Sequence, residues 1–377
     1  MEASASKEQL QVRRKPEAVR DWLDLLSRRL GPGARLPKAA QLCQELGISA
    51  NTLDRALREL ENQGVITRRH GVGIFVAENR KNLARRILLI CHPSFFSAVT
   101  HSPFWDLLLS GLRERASRSD DCFECHFVSP TEDSAVLSEN LQDEIRRGRV
   151  HGVLGIGLGN EAAYFLEEHV PYVSFAGWSS HMIGVNLKAM ARLAVQALAD
   201  KGCRNIGAWL GLPVGHHYDP KTIHIRERTA FRGALHRAGL AFKRQLWRDS
   251  RVLPQEGKGL SGQEQGYEMA RHFWEDKKQR PDGLVFFDDM VARGALTALS
   301  ALGVQPGRDV HIATHANAHS DVLLGYDAHV IRVETAPAEL VNLMFDQLEA
   351  LMQNREVPRV TLYAQPRLVL PKEIVSL

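Results

Sequence analysis

The stretch RLPKAAQLCQELGISANTLDRALRELENQGVITRRHGVGIFV, from Arg35 to Val76, admits few folds, because its punctuation spells two short helices, a turn and a basic β-hairpin. Pro37 suits the first turn of a helix, Leu42 and Leu46 share one face of it, and Gly47 supplies the left-handed residue that ends it. Ser49 then caps a second helix. In it Leu53, Ala56, Leu57 and Leu60 fall at i, i+3, i+4 and i+7, which leaves Asn51, Thr52, Arg55 and Arg58 off the apolar stripe. Gly64 stops this helix, and Val65 to Val76 alternates about His70-Gly71-Val72-Gly73, a glycine-containing hairpin loop approached by Arg68 and Arg69. An earlier amphipathic helix carrying Val19, Trp22, Leu23, Leu26 and Leu30 is predicted to close a small core over the pair. The expected unit is a winged helix-turn-helix.

Charge counts give that unit a partner. From Met1 to Ala84 there are 15 Lys+Arg and 10 Asp+Glu, a net of +5, whereas the whole chain carries 48 against 44, or +4, so the remainder is near −1. The basic excess sits where phosphate neutralisation needs it. Asn51 and Thr52, on the first turn of the second helix, are candidates for base edges, since asparagine can pair with adenine through two hydrogen bonds. Ser49, which caps the same turn, is a further candidate for contact with DNA. Lys38, Arg55, Arg58, Arg68 and Arg69 read as phosphate contacts, and His70 with Gly71 as a wing tip at the minor groove. For any single arginine the plain alternative is a solvated helix face.

The segment from about Ala18 to Ala77 resembles the GntR-type winged-helix domain. The family's pattern stands here as Leu36-Pro37, Gly47-Ile48-Ser49, Ala56-Leu57-Arg58-Glu59-Leu60, Gly64 and Arg69 to Val76. The resemblance implies operator DNA as the partner. Ala40 and Ala50 replace two arginines that in the family commonly touch DNA, which implies an operator unlike the family's common one.

At 377 residues with 44% hydrophobic composition, the chain can bury two or three cores. The first residues, MEASASKEQLQVRRKPE, hold no apolar run fit for a signal peptide, and no stretch approaches the roughly 20 apolar residues of a membrane span. A cytoplasmic protein with no membrane partner is expected. The five cysteines fit a reducing compartment, with Cys43, Cys91 and Cys203 as small buried hydrophobes. Cys122-Phe123-Glu124-Cys125-His126 matches the haem-attachment pattern C-x-x-C-H, but Phe123, Cys125 and Phe127 alternate as in a buried strand, and that reading is preferred. No cofactor is expected.

From Arg86 onward short apolar runs such as ILLIC, VHGVLGIG, PYVSFAG, RNIGAWLG, GLVFFDD and VHIATH alternate with amphipathic helical stretches, the last from Pro337 to Gln353. This alternation predicts α/β architecture, with parallel sheets flanked by helices. The length suits two lobes with a cleft between them. The expected division is a winged-helix domain over 1–77, a linker over 78–85, and an effector-binding and dimerisation domain over 86–377 whose lobes cross near 180–190 and 315–335.

Several phrases of this region are similar to the effector domain of LacI/GalR-type repressors, which has the periplasmic-binding-protein fold. They are Pro103-Phe104-Trp105 with Leu109, Gly111 and Leu112; Val150-His151-Gly152-Val153-Leu154; Ala199 through Ile206; Phe231 with Ala234-Leu235; and Phe287-Asp288-Asp289-Met290-Val291-Ala292-Arg293-Gly294-Ala295. In open α/β sheets a ligand lies over the carboxyl ends of the strands. Those ends supply His92, Ser94, Gly177, Trp178, Gly211, Asp288, Asp289, His315 and Asn317. By the resemblance, Asp289 takes the place of the family's ligand-binding aspartate, which accepts hydrogen bonds from sugar hydroxyls. Phe104, Trp105 and Trp178 offer apolar faces for a sugar ring, or else belong to the core. The family's arginine before G-F falls at Glu227, flanked by Arg226 and Arg228, and its second aspartate falls at Ala316-Asn317, so the site loses one carboxylate.

Two rivals remain. An enzyme would need a nucleophile elbow, a Walker loop or H-E-x-x-H, and none is present. A metal sensor would use His216, His217, Asp219 and His224, or His311, His315 and His319, among 16 histidines. The reading preferred is a transcriptional repressor, a homodimer on a palindromic operator, that answers to a carbohydrate-like effector.

Overall fold

A computed structural model describes residues 16–77, 85–96, 102–130, 135–212, 224–253, 259–275 and 280–371. The first helix, α1, spans Pro16–Leu30, α2 spans Ala39–Leu46 and α3 spans Ala50–Asn62; the hairpin strands are β1, Ile66–Arg69, and β2, Gly73–Val76. Gly47 ends α2 at φ 62°, and Ser49 caps α3 by accepting from the Thr52 amide at 3.2 Å. Pro37 stands just ahead of α2, whose N-cap is Lys38, rather than within its first turn. In the hairpin Ile66 pairs with Val76 and Arg69 with Gly73, which leaves His70, Gly71 and Val72 as the loop. Val19, Leu23, Leu42, Leu53, Ala56, Leu57, Leu60, Val65 and Val76 form one buried cluster. Leu30 departs from expectation: as the last residue of α1 it projects past the core and is exposed.

The described residues separate into two compact units, one built from Met1–Cys91, Ala116–Ser179 and Leu348–Val357, the other from His92–Arg115, Ser180–Gln347 and Pro358–Leu377. In the first unit four parallel strands, β3 (Arg86–Cys91), β4 (Cys122–Phe127), β7 (Gly152–Ile156) and β8 (Tyr172–Phe175), run in the order β8-β7-β3-β4. A two-residue pair, β5 (Ser129–Pro130) with β6 (Ala135–Val136), follows β4. Strands β7 and β8 are buried along their whole length, as expected of parallel strands covered on both faces. Strand β4 is the edge, so the expected burial of Cys125 and Phe127 fails there. Both are exposed, and so is Cys122, while Cys43 is only half-buried. Helices α5 (Glu139–Arg146) and α6 (Asn160–His169) belong to the same unit.

The winged helix is seated on this unit by a small contact. After α5, Gly148 takes φ +68°, and a Cβ there would lie 2.2 Å from Leu25 Cδ1 of α1. Next to it Arg149 pairs with Asp21 at 3.4 Å. Asp21 also accepts from Arg20, whose guanidinium reaches Glu59 of α3 at 2.8 Å.

The second unit holds α4 (Pro103–Ala116), α7 (Leu187–Asp200), α8 (Ile225–Arg237), α9 (Gly262–Trp274), α10 (Asp289–Ala301) and most of α11 (Pro337–Met352). Strands β9 (Met182–Val185) and β15 (Leu362–Ala364) pair in parallel. Its main sheet consists of β10 (Ile206–Leu210), β11 (Trp247–Asp249), β12 (Gly283–Phe286), β13 (His311–Asn317), β14 (Val330–Thr335) and β16 (Arg367–Val369). The order is β11-β10-β12-β13-β14-β16, parallel but for β16. Side chains of α9 and α10 build the core on one face; those of α7 and α8 build the other. Because these strands are parallel, their carboxyl ends lie along one edge of the sheet.

Helices α9 and α10 meet without side chains between them. A Cβ on Gly266 would stand 2.0 Å from the Val291 carbonyl oxygen, and one on Gly294 would stand 1.8 Å from that of Gln263. Only glycine fits at either position.

Candidate functional site

Two places gather the residues singled out by the sequence. The first is the outer face of α3 with the hairpin. Asn51, Arg55 and Arg58 are exposed and Thr52 half-buried, and together with Asp54 they line a shallow depression of about 410 Å³. Ser49 is engaged twice as the cap, with the Thr52 amide and the Thr52 hydroxyl, so its side chain serves the helix. Lys38, Arg69, His70 and Gly71 are exposed, and the Arg69 guanidinium lies 5.0 Å from the Phe75 ring centroid. The Arg35 guanidinium covers the same ring and donates to the Val72 carbonyl of the loop.

Arg68 is placed differently from its neighbours. Its Nη1 donates to Asp54 Oδ1 at 2.6 Å, its Nη2 to the Asp54 carbonyl at 3.1 Å, and its Nε stands 3.2 Å from Glu61 Oε2. The second oxygen of Asp54 pairs with Arg58 at 2.7 Å. The Arg68 hydrogen bond, together with the charges of Arg58 and Arg68, holds the Asp54 carboxyl below the usual carboxylate range. Sequence reasoning passed over Asp54; an acid among basic residues on an outward face was the available signal.

The second place is the carboxyl edge of the main sheet in the second unit. The pair Asp288-Asp289 divides its labour. Asp288 caps α10, accepting from the Met290 and Val291 amides at 2.8 and 3.0 Å. Asp289, 3% exposed, turns toward β13 and accepts from Asn317 Nδ2 at 3.1 Å. Burial, then the charge of Asp288, push its pKa up to about 7, against the pull of Asn317. Asn317 is the register partner of Thr335 on β14. His315 lies two residues back on the same strand face. Burial lowers its pKa, so the ring is neutral at pH 7.

Asp289 and Asn317 are thus in contact, the register of β13 with β14 sets Thr335 beside Asn317, and three buried polar atoms along these strand ends have no partner: His315 Nε2, Asn317 Oδ1 and Thr335 Oγ1. Such atoms are rare in folded proteins and each costs about 1–3 kcal/mol until a partner arrives. Along the same edge Gln265 donates to and accepts from the Leu212 backbone and receives the Ser250 hydroxyl at 2.6 Å, while Asp249 is bound by Arg251 at 2.6 Å. Burial raises Asp249, but the Arg251 hydrogen bonds and charge outweigh it and hold it low. His224 precedes α8 at φ 61°, its Nε2 buried and unpartnered. Sequence reasoning did not place Thr335, Asp249 or Arg251 here, because β14 and β11 went unread.

The other expected ligand residues are spread out. Arg226 and Arg228 lie exposed on the first turn of α8. Phe104 and Trp105 pack on each other at 4.9 Å, and Trp105 on Phe95 at 4.8 Å. Trp178, in the first unit, packs on Tyr164 with ring centroids 4.5 Å apart and the planes inclined at 51°, and accepts at its carbonyl from the Tyr172 hydroxyl. His216, His217 and Asp219 lie outside the described residues. Among the described residues no group of three or more His, Cys, Asp or Glu side chains is arranged to hold a metal. No described helix is long and apolar enough to cross a membrane.

Comparison with known proteins matches two segments of the chain. Residues 18–76 match the family described as bacterial regulatory proteins, gntR family, and residues 195–370 match the periplasmic binding protein-like domain. The histidine utilization repressor of Pseudomonas putida is 51% identical over 47 residues, 12% of this chain and 19% of that protein. The chain therefore spans about a fifth of the length of the curated relatives it matches. Among solved structures, a regulatory protein of the LacI family from Chloroflexus aggregans superposes with a TM-score of 0.59 at 21% identity, covering 76% of this chain and 97% of that one. A complex of the transcriptional regulator CelR with cellobiose does so with a TM-score of 0.57 at 17% identity, covering 89% and 99%. The chain carries a GntR-type winged helix and a periplasmic-binding-protein-like α/β region, and the proteins it resembles are transcription regulators rather than enzymes.

Proposed function

We propose that the protein is a transcriptional repressor that binds operator DNA through its winged helix and answers to a small hydroxylated ligand at the carboxyl edge of the second unit. Asn51 and Thr52 read base edges; Lys38, Arg55, Arg58 and Arg69 neutralise phosphates; His70 and Gly71 meet the minor groove. The protein acts in the cytoplasm as a homodimer on a palindromic operator, with the linker joining a DNA-binding domain to an effector domain.

The observation that carries the ligand half is the set of unpartnered atoms around Asp289. Asp289 and Asn317 Oδ1 accept, Thr335 donates or accepts, and a neutral His315 does either. This set suits hydroxyl groups, each of which both donates and accepts, and a carbohydrate supplies several at fixed spacing. The cellobiose complex of the CelR regulator supports that class.

The test is direct. Duplexes are selected from a random-sequence pool by the purified full chain, and thermal shift is measured against mono- and disaccharides. A recovered palindromic site and a stabilising sugar that weakens its binding support the reading. Recovery of no duplex overturns the DNA half, and a panel of sugars without any shift overturns the carbohydrate half.

A further inference from the structure

We infer that Arg68 is a positioning residue, which fixes the wing against the recognition helix through Asp54 and Glu61, and is not one of the phosphate ligands. The inference rests on the DNA-binding reading and assigns the cations of that face to two different tasks.

The geometry separates them. Arg68 is the first of the two arginines at the end of β1, and consecutive residues of a strand point to opposite sides. Arg69 lies on the exposed side. Arg68 turns under the hairpin to α3, where its guanidinium spans the Asp54 carboxylate, the Asp54 carbonyl and the Glu61 carboxylate. Its backbone amide adds a fourth tie, donating to Glu61 Oε1 at 3.2 Å. A planar guanidinium holds its donors in a fixed fork, so two of its nitrogens bond Asp54 while the third faces the charge of Glu61, a geometry that the single nitrogen of an ammonium does not reproduce. To reach a phosphate, the side chain would have to give up both hydrogen bonds to Asp54, which would keep only Arg58, and leave the Glu61 carboxylate without its guanidinium on a face that approaches a polyanion.

The clamp joins the two elements whose relative angle decides what is read. Asp54 sits on the same helix face as Asn51, Thr52, Arg55 and Arg58, so its grip on Arg68 sets where the wing stands relative to those side chains. On the far side of the hairpin Arg35 holds the Val72 carbonyl, and the wing is thus fixed at both its base and its tip before DNA arrives. Preorganisation of this kind raises the affinity for the correct site more than for any site.

The experiment uses the full chain and the duplex that it selects from a random pool, and compares Arg68→Gln, Arg69→Gln, Asp54→Asn and the double variant Asp54→Asn/Arg68→Gln. Binding to the selected and to a scrambled duplex is measured from 50 to 300 mM salt, with melting temperature as the control for folding. Removing a phosphate ligand lowers the slope of log K against log salt by about 0.9. Arg69→Gln is expected to do so. Arg68→Gln is expected to leave the slope within 0.3 of the parent, by order of magnitude on the same scale, while the ratio of selected to scrambled affinity falls about five- to tenfold. Asp54→Asn is expected to lower that ratio by a similar factor, with the double variant no worse than either single one. Should Arg68→Gln melt below the assay temperature, Arg68→Lys serves as the milder variant; because it keeps the charge, the ratio of selected to scrambled affinity is read from it in place of the slope, and a ratio equal to the parent's overturns the inference. A slope reduced by about one unit in Arg68→Gln, or a ratio raised by Asp54→Asn, overturns the inference. If the parent selects no duplex, the DNA-binding reading fails first and the inference with it.

Discussion

The winged helix and the carboxyl edge of the second unit place their polar side chains in opposite ways. On the winged helix the cations stand outward over a largely apolar core, and Asp54 on the same face is already paired. In the second unit the polar groups are turned inward, crowded on strand ends, and left with unmet hydrogen bonds. An outward cation costs little in isolation and acts through long-range attraction, so such a surface can be assembled independently of its partner. An inward carboxylate beside an amide whose oxygen has no partner is destabilising by itself, and persists because the packed helices and strands around it hold it there.

Breaking the scaffold of the inward site should have the largest effect. Gly294→Val is expected to lower stability by about 4 kcal/mol or more, because the helix crossing cannot admit a side chain; chemical unfolding with a melting point close to the parent's would refute the backbone contact. The outward site depends on an ordinary core instead. Leu57→Ala, at a fully packed position of α3, should cost about 3 kcal/mol in the same measurement and leave the second unit's ligand response intact.

Asp289 sharpens the contrast through pH. Its pKa is raised from 3.8 to about 7 on folding, so between those values the folded state holds a proton that the unfolded chain has released. Stability of the ligand-free protein therefore falls as pH rises across that window. Asp289→Asn removes the titration and should gain on the order of 1 to 3 kcal/mol relative to the parent at pH 7, with no gain at pH 4, while abolishing any response to ligand. A difference that does not vary with pH would mean that the carboxyl is solvated. The smallest change in stability belongs to the outward face: Asn51→Ala should leave the melting temperature alone and relax preference at one base position by about 1 to 3 kcal/mol, read from competition among single-base variants of the selected duplex.

Legibility follows the same contrast. Helices α1 to α3 and the hairpin are spaced by Pro37, Gly47, Ser49 and Gly64, whose effects are local, and they were readable almost to the residue. The order of strands and helices in the second unit was also readable, because β10 and β12 are continuous buried runs and β13 holds the buried run Ile312 to Thr314. The strand β14 was not, since Arg332 and Glu334 interrupt it. Their charges are accommodated by an ion pair of Arg332 with Asp327 and another between the two residues, contacts that no local pattern announces. Losing β14 meant losing Thr335. Likewise the sequence motif pointed to Asp289, but not to the division of roles by which Asp288 caps the helix and frees its neighbour to face Asn317.

The glycine crossing of α9 and α10 bears on how such a site can change over generations. Because neither Gly266 nor Gly294 can accept any side chain, each is closed to stepwise substitution, and the first residue of α10 is held at one place. The side chains that surround Asp289 are under no such restriction. A lineage built on this scaffold would therefore alter its ligand by exchanging the neighbours of a stationary carboxylate, and would keep the position of that carboxylate long after overall sequence identity had faded.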